Sequence, residues 1–149
     1  MRGADVMNRY EELRNRQQEE FNKLPLGFAF SEKQFDEMMK KWGLDPEKDL
    51  DKIYRIPAGG FVQKKDHAHM HEVIDRHDKE MQEAIAADKT GDGFIYEMFL
   101  YELRNHEFGY TGEYEDTLEA LGYTWEQVQA DNRLKHGLDK ATAKIWEEE

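Results

Sequence analysis

The chain has 149 residues, with 33 acidic against 21 basic side chains and a formal charge of −12 at pH 7; such a surface repels phosphate backbones and anionic membranes, which disfavours coating nucleic acid or lipid. Aromatic residues make up 12%, enough apolar bulk to offset ordering entropy, so the chain is expected to fold, as one domain of ordinary size. There is no cysteine, which removes thiol catalysis, disulfides and Cys-based zinc motifs together.

The opening residues Met1 to Val6 carry no apolar run, so no secretion signal is expected. No stretch approaches a transmembrane length, and a cytoplasmic location is expected. Met7 offers an internal start that would make residues 1–6 a flexible tail. A first helix is predicted from about Asp5 to Lys23, with Val6, Tyr10, Leu13 and Phe21 on one stripe and Pro25 and Gly27 ending it. Ser31 and Gln34 form an S-x-x-Q capping box. Phe35, Met38, Met39 and Trp42 follow at the spacing of a core-facing helix, and Gly43 suits a left-handed C-cap. Asp45-Pro46-Glu47 predicts a short second start, with Asp as N-cap and Pro in the first turn.

Ile53 to Ile56, Gly59-Gly60 and Phe61-Val62 predict one small β-hairpin near 53–63, the only β element expected. A long helix is predicted from Asp66 to Ala87 with Val73, Ile74, His77, Met81 and Ile85 inward. The next, Phe94 to His106, is apolar nearly all round, which marks a buried central helix. Beyond Gly109, Glu113 to Leu121 predicts a short helix closed by Gly122. Thr124 and Gln127 then form a second capping box ahead of Trp125 and Val128. Gly137 is expected to kink or split the tail before Leu138, Ile145 and Trp146. The fold class is therefore mostly α, α+β at the margin: a single domain over 1–149 around the helix near 94–106.

Three stretches approach known chemistry. Asp88 to Ile95 reads like the first eight positions of a calcium loop, but position 12 is Phe99, which has no oxygen to close the site, so a Gly-rich helix–helix turn is the favoured reading. His67, His71 and Asp75 fall at i, i+4, i+8 on one helix face, which is metal-ligand spacing. His71-Glu72-Val73-Ile74-Asp75 also approaches the H-E-x-x-H of zinc peptidases, with Glu72 as general base, although Asp75 replaces the second His. A metal-dependent hydrolase is thus the alternative reading, against an exposed helix start with solvated histidines. Ser31, the only serine, sits as a helix cap, and no phosphate-binding Gly-rich loop is present. Thr117 to Val128 has a helix-turn-helix rhythm, but Glu126 and Asp131 offset Arg133 and Lys135, leaving no positive face. His106, at the end of the central helix, suits a ligand or acid–base group, with capping of the last carbonyls the favoured reading.

Acidic residues cluster at Asp45, Glu47, Asp49 and Asp51, at Glu113, Glu115, Asp116 and Glu119, and at Glu147 to Glu149. Each cluster suits a solvated face; together they suit a phosphate-like field that mimics nucleic acid toward a basic channel in another protein. No catalytic residue, metal or cofactor is assigned, and a protein partner is expected, with no direct nucleic-acid or membrane binding.

Phe28-Ala29-Phe30-Ser31-Glu32-Lys33-Gln34-Phe35 and the stretch from Phe99 to Phe108, leading into Leu118 to Thr124, resemble small uncharacterised proteins encoded in phages and prophages of gut-dwelling bacteria. That group supplies no activity or site residues to carry over. The resemblance implies a cytoplasmic accessory protein of a mobile element. In such settings small acidic proteins bind and block host defence or replication machinery, CRISPR nucleases included. A structural or assembly role in a virion is a further alternative.

Overall fold

A computed structural model describes residues 8–148. Val6, the start at Met7, the tail 1–6 and the terminal Glu149 lie outside the described residues. The chain divides into two compact units, Met1–Gln17 with Lys79–Glu149, and Gln18–Asp78. Helices α1 (Arg9–Asn22) and α3 (Lys64–Ala87) each contribute to both. The protein is mostly α with a small antiparallel sheet.

In the Gln18–Asp78 unit, β1 (Leu26–Phe28), β2 (Ile53–Ile56) and β3 (Gly60–Gln63) form a sheet of order β1-β3-β2. The predicted hairpin is present, with Tyr54 opposite Val62. It gains a strand that sequence reading took for a helix stop: Leu26 pairs with Val62 and Phe28 with Gly60. Gly27 fits this strand to the helix that follows. A Cβ there would sit 2.7 Å from Met38 Cγ, so its bare backbone lets α2 (Glu32–Lys41) pack directly on the strand. Val62 on the central strand is fully buried with Leu24, Met70 and Val73. On α3, Met70 takes the buried place that was assigned to Ile74, which is 39% exposed.

Helix α2 starts and stops as predicted. Ser31 Oγ accepts from the Gln34 amide at 3.2 Å, although Gln34 Oε1 reaches back to the Phe30 amide at 2.7 Å rather than to Ser31. Gly43, at φ 73°, donates to Lys40 O while Leu44 donates to Met39 O, a Schellman stop. Asp45 does not start a helix. Its Oδ1 accepts from the Glu47 and Lys48 amides at 2.8 and 3.0 Å, and Asp49 Oδ2 accepts from the Asp45 amide at 2.7 Å. These side-chain bonds close a single turn, followed by a 3-10 turn at Leu50–Lys52, because they satisfy the backbone without a second helical turn.

The other unit is built on α4 (Phe94–Asn105), the predicted buried helix: Ile95, Met98, Phe99 and Leu103 are all at most 1% exposed. Tyr10 and Leu13 of α1 join this core, as do Leu134, Leu138, Ala141 and Ile145 of α8 (Asn132–Glu148). Gly137 neither kinks nor splits α8. It is buried, and a Cβ there would lie 2.6 Å from Ile95 Cγ2 and 3.1 Å from Gly91 O, so the glycine allows α8 to press against α4. Between them lie a one-turn helix not foreseen, α5 (Phe108–Thr111), then α6 (Glu115–Leu121) and α7 (Trp125–Ala130).

Candidate functional site

The segment from Glu113 to Trp125 gathers acidic and aromatic side chains into one groove. Leu121 is followed by Gly122 at φ 79°, whose amide donates to Glu119 O while the Tyr123 amide donates to Leu118 O. This stop ends α6, and the Thr124–Gln127 capping box opens α7 three residues later. The tight reversal brings Glu113, Glu115 and Glu119 onto a groove of about 710 Å³ with Tyr114, Leu118, Tyr123 and Trp125. Tyr114 is held by a hydroxyl contact to Thr142 at 3.0 Å and packs on Phe108, its ring 4.7 Å away; Trp125 lies 5.4 Å from the Tyr114 ring and is 46% exposed. Burial pushes the Tyr123 phenol upward, so it stays neutral.

None of Glu113, Glu115, Asp116 and Glu119 forms a salt bridge among the described residues. Carboxylates without cations beside the exposed Trp125 ring and the half-buried Tyr114 and Tyr123 favour a cationic side chain, which meets opposite charge and a π-face together. The sequence showed the carboxylates but not the aromatic wall, because no spacing along the chain sets Tyr114, Tyr123 and Trp125 on one side.

The first acidic cluster behaves differently. Asp45 and Asp49 are absorbed in their own turn. The Asp45 amide lowers the pKa of Asp49 most, helped by Lys52 at 3.2 Å. Glu47 and Asp51 are exposed. This cluster lies in the Gln18–Asp78 unit and the second in the other. Glu148, of the terminal cluster, pairs with Arg104 at 2.7 Å.

The histidines are partly assembled. His67 and His71 face one another with Nε2 atoms 3.0 Å apart, and His67 stacks on Tyr54 at 4.5 Å. Asp75 and Glu72 are exposed. Among the described residues no three His, Cys, Asp or Glu side chains are grouped to hold a metal ion, so Asp75 does not complete the pair.

The calcium-like stretch is the favoured helix–helix turn. Asp88 accepts from the amides of Gly91 at 2.9 Å, Gly93 at 3.1 Å and Ile95 at 3.0 Å, so this carboxylate caps α4 from outside it. Burial alone would raise its pKa, but these amides with that of Thr90 outweigh it and the pKa is lowered. Asp92 points elsewhere, to His136 at 2.6 Å and Lys140 at 3.3 Å.

A buried acid escaped sequence reading. Glu102, 4% exposed, accepts from the Tyr10 hydroxyl and has Arg14 Nε and His106 Nε2 each at 3.6 Å. Burial first, then this bond, holds Tyr10 protonated far above the ordinary phenol range. His106 therefore faces Glu102 across one helical turn instead of capping carbonyls with its ring. The Tyr10 hydroxyl and the Asn105 side-chain amide, at 3.4 Å, donate to this carboxylate, with the Arg14 guanidinium close by, and together they hold an acid that the core would otherwise expel. No sequence signal separates Glu102 from the exposed glutamates except its place in an apolar helix.

Among the described residues no helix is long and apolar enough to cross a membrane. Neither the curated proteins nor the solved structures compared with the chain include a match. A family model does match, over residues 9–144, nearly the whole described length, and by that match the chain belongs to the Family of unknown function (DUF7659).

Proposed function

We propose that the protein is a non-enzymatic accessory protein of phage or prophage type that acts in the cytoplasm by docking onto a basic surface of another protein. The observation that carries this reading is the groove at Glu113–Trp125, where carboxylates without salt-bridge partners flank Tyr114, Tyr123 and Trp125. A formal charge of −12 adds long-range attraction toward a positive partner. The partner chemistry that fits is a nucleic-acid enzyme whose phosphate channel presents Arg and Lys, a host defence nuclease such as a CRISPR effector being one case.

The test is direct binding to a purified effector nuclease by calorimetry, comparing the wild-type chain with a Glu115→Gln/Glu119→Gln variant. The variant is expected to bind on the order of tenfold more weakly, since each exposed charge pair contributes up to about 1 kcal/mol. Equal affinity would remove the groove from the interface, and absence of binding across a panel of such nucleases would remove the partner class. The hydrolase reading retains the 3.0 Å approach of His67 and His71 in its favour. Zinc held in stoichiometric amount, and lost in His71→Ala, would move the assignment there.

A further inference from the structure

Independently of that groove, the Gln18–Asp78 unit leaves one edge of its sheet open beside a helix. Strand β1 is an outer strand of the order β1-β3-β2, so only one of its sides is paired. The Ala29 amide donates to Gly59 O at 3.1 Å, which sets the phase of the ladder. Bonded residues alternate in an antiparallel pair, so Gly27 directs its amide and carbonyl to Phe61, while Leu26 and Phe28 direct theirs outward. The Leu26 amide is used locally, by Leu24 O at 2.8 Å. The Leu26 carbonyl and both backbone polar groups of Phe28 remain on the open side, and Phe28 is 50% exposed. A groove of about 650 Å³ lies between this strand and the flank of α2, lined by all three residues of β1 and by Glu37, Met38, Lys41 and Trp42. Glu37 and Lys41 are exposed, and neither forms a salt bridge among the described residues.

We infer that this groove takes an extended peptide segment of another protein, which adds a fourth strand beside β1. An open strand edge supplies main-chain hydrogen bonds to such a segment, and the adjoining wall reads its alternate side chains. A Cβ at Gly27 would point at Met38, so the residues of the added strand that share its side of the sheet face α2. Side chains on one side of a strand recur about every 6.7 Å, and one helical turn separates Glu37 from Lys41 by about 6 Å. A basic and an acidic residue two positions apart in the peptide therefore answer both charges. The residues between them fall on the side of Leu26 and Phe28, whose exposed ring favours apolar neighbours. A second copy of this chain does not fit. Paired through its own β1 it would stand about 4.8 Å away, strand to strand, and bring its own α2 to the same face, where packed helices need about 8–10 Å.

The experiment titrates the full chain with the capped peptide acetyl-Thr-Val-Lys-Val-Glu-Val-Thr-amide and follows solvent exchange of the Phe28 amide by NMR. Saturable one-to-one binding is expected, slowing that exchange at least about tenfold at saturation. Two further peptides are N-methylated at alternate positions, one on the valines and one on the charged residues. Only one of them should lose affinity, by about tenfold or more, because a strand donates to its neighbour through alternate residues. Glu37→Gln/Lys41→Gln should weaken the unmethylated peptide about fivefold and leave the Phe28 protection at saturation unchanged. Absence of binding, binding that leaves Phe28 exchange unaltered, equal effects of the two methylated peptides, or an affinity indifferent to the Gln pair would each overturn the assignment. So would Phe28 protection that rises with protein concentration alone, which would give the edge to a second copy.

Discussion

The carboxylate of Asp88 shows how one residue can resemble a metal ligand and do different work. In a calcium loop its oxygens face the ion; here they face four backbone amides at the entry to α4. Asp88→Ala should lower unfolding free energy by about 1–2 kcal/mol, the cost of losing a strong cap, as read by urea denaturation at pH 7. The pH dependence follows from the lowered pKa. A carboxylate whose folded pKa lies below its unfolded value stabilises fully above the unfolded value, near 4, and that contribution is lost as the pH falls through the folded pKa. The difference between wild type and Asp88→Ala should therefore shrink below about pH 4; a difference unchanged down to pH 2 would show that charge plays no part. The Tyr10–Glu102 pair gives a second case. Tyr10→Phe removes a donor from a carboxylate that is 4% exposed, and a loss of about 1–3 kcal/mol in thermal or urea unfolding is expected.

At the scale of elements, glycine has two meanings that sequence spacing does not separate. Gly43 and Gly122 take positive φ at helix ends and were read correctly from their place after an amphipathic run. Gly27 and Gly137 were read as breakers, yet one lies in a strand and the other inside a continuous helix, each because a neighbouring element comes too close for a Cβ. Gly137→Ala tests the point. Helix propensity alone would favour alanine by about 1 kcal/mol. The contacts at 2.6 Å to Ile95 and 3.1 Å to Gly91 O instead predict net destabilisation of about 1–2 kcal/mol, measured by chemical denaturation. A more stable variant would mean that α8 can move away from α4 at little cost. Asp45 follows the same logic in reverse: its capping chemistry was legible, but that chemistry closes a turn as readily as it begins a helix.

For the molecule as a whole, the formal charge of −12 governs encounters more than folding. Charge that attracts a basic partner through solvent is screened within about 8–10 Å at physiological salt. Association with the proposed nuclease partner should therefore slow markedly between 50 and 300 mM salt, chiefly in the on-rate seen by surface plasmon resonance. An affinity indifferent to salt would point to an apolar interface instead. How the charge is used depends on local pairing: Asp49, Asp92 and Glu148 have cations close by, whereas the four acids of residues 113–119 do not. Counting residues reports the total and hides that distinction.

Composition, periodicity and capping residues by themselves determined that this chain folds, that it is mostly helical, that α4 is its most buried helix, and where α2 and α6 stop. Each of those signals lies within about one helical turn of the residue it concerns, so it survives without a third dimension. Tertiary structure alone decided that β1 joins the sheet, that Glu102 lies buried under Tyr10, and that aromatic rings wall the acidic groove. Those facts join residues far apart along the chain, some by as many as 92 positions, and packing selects such partners from many side chains of the same type.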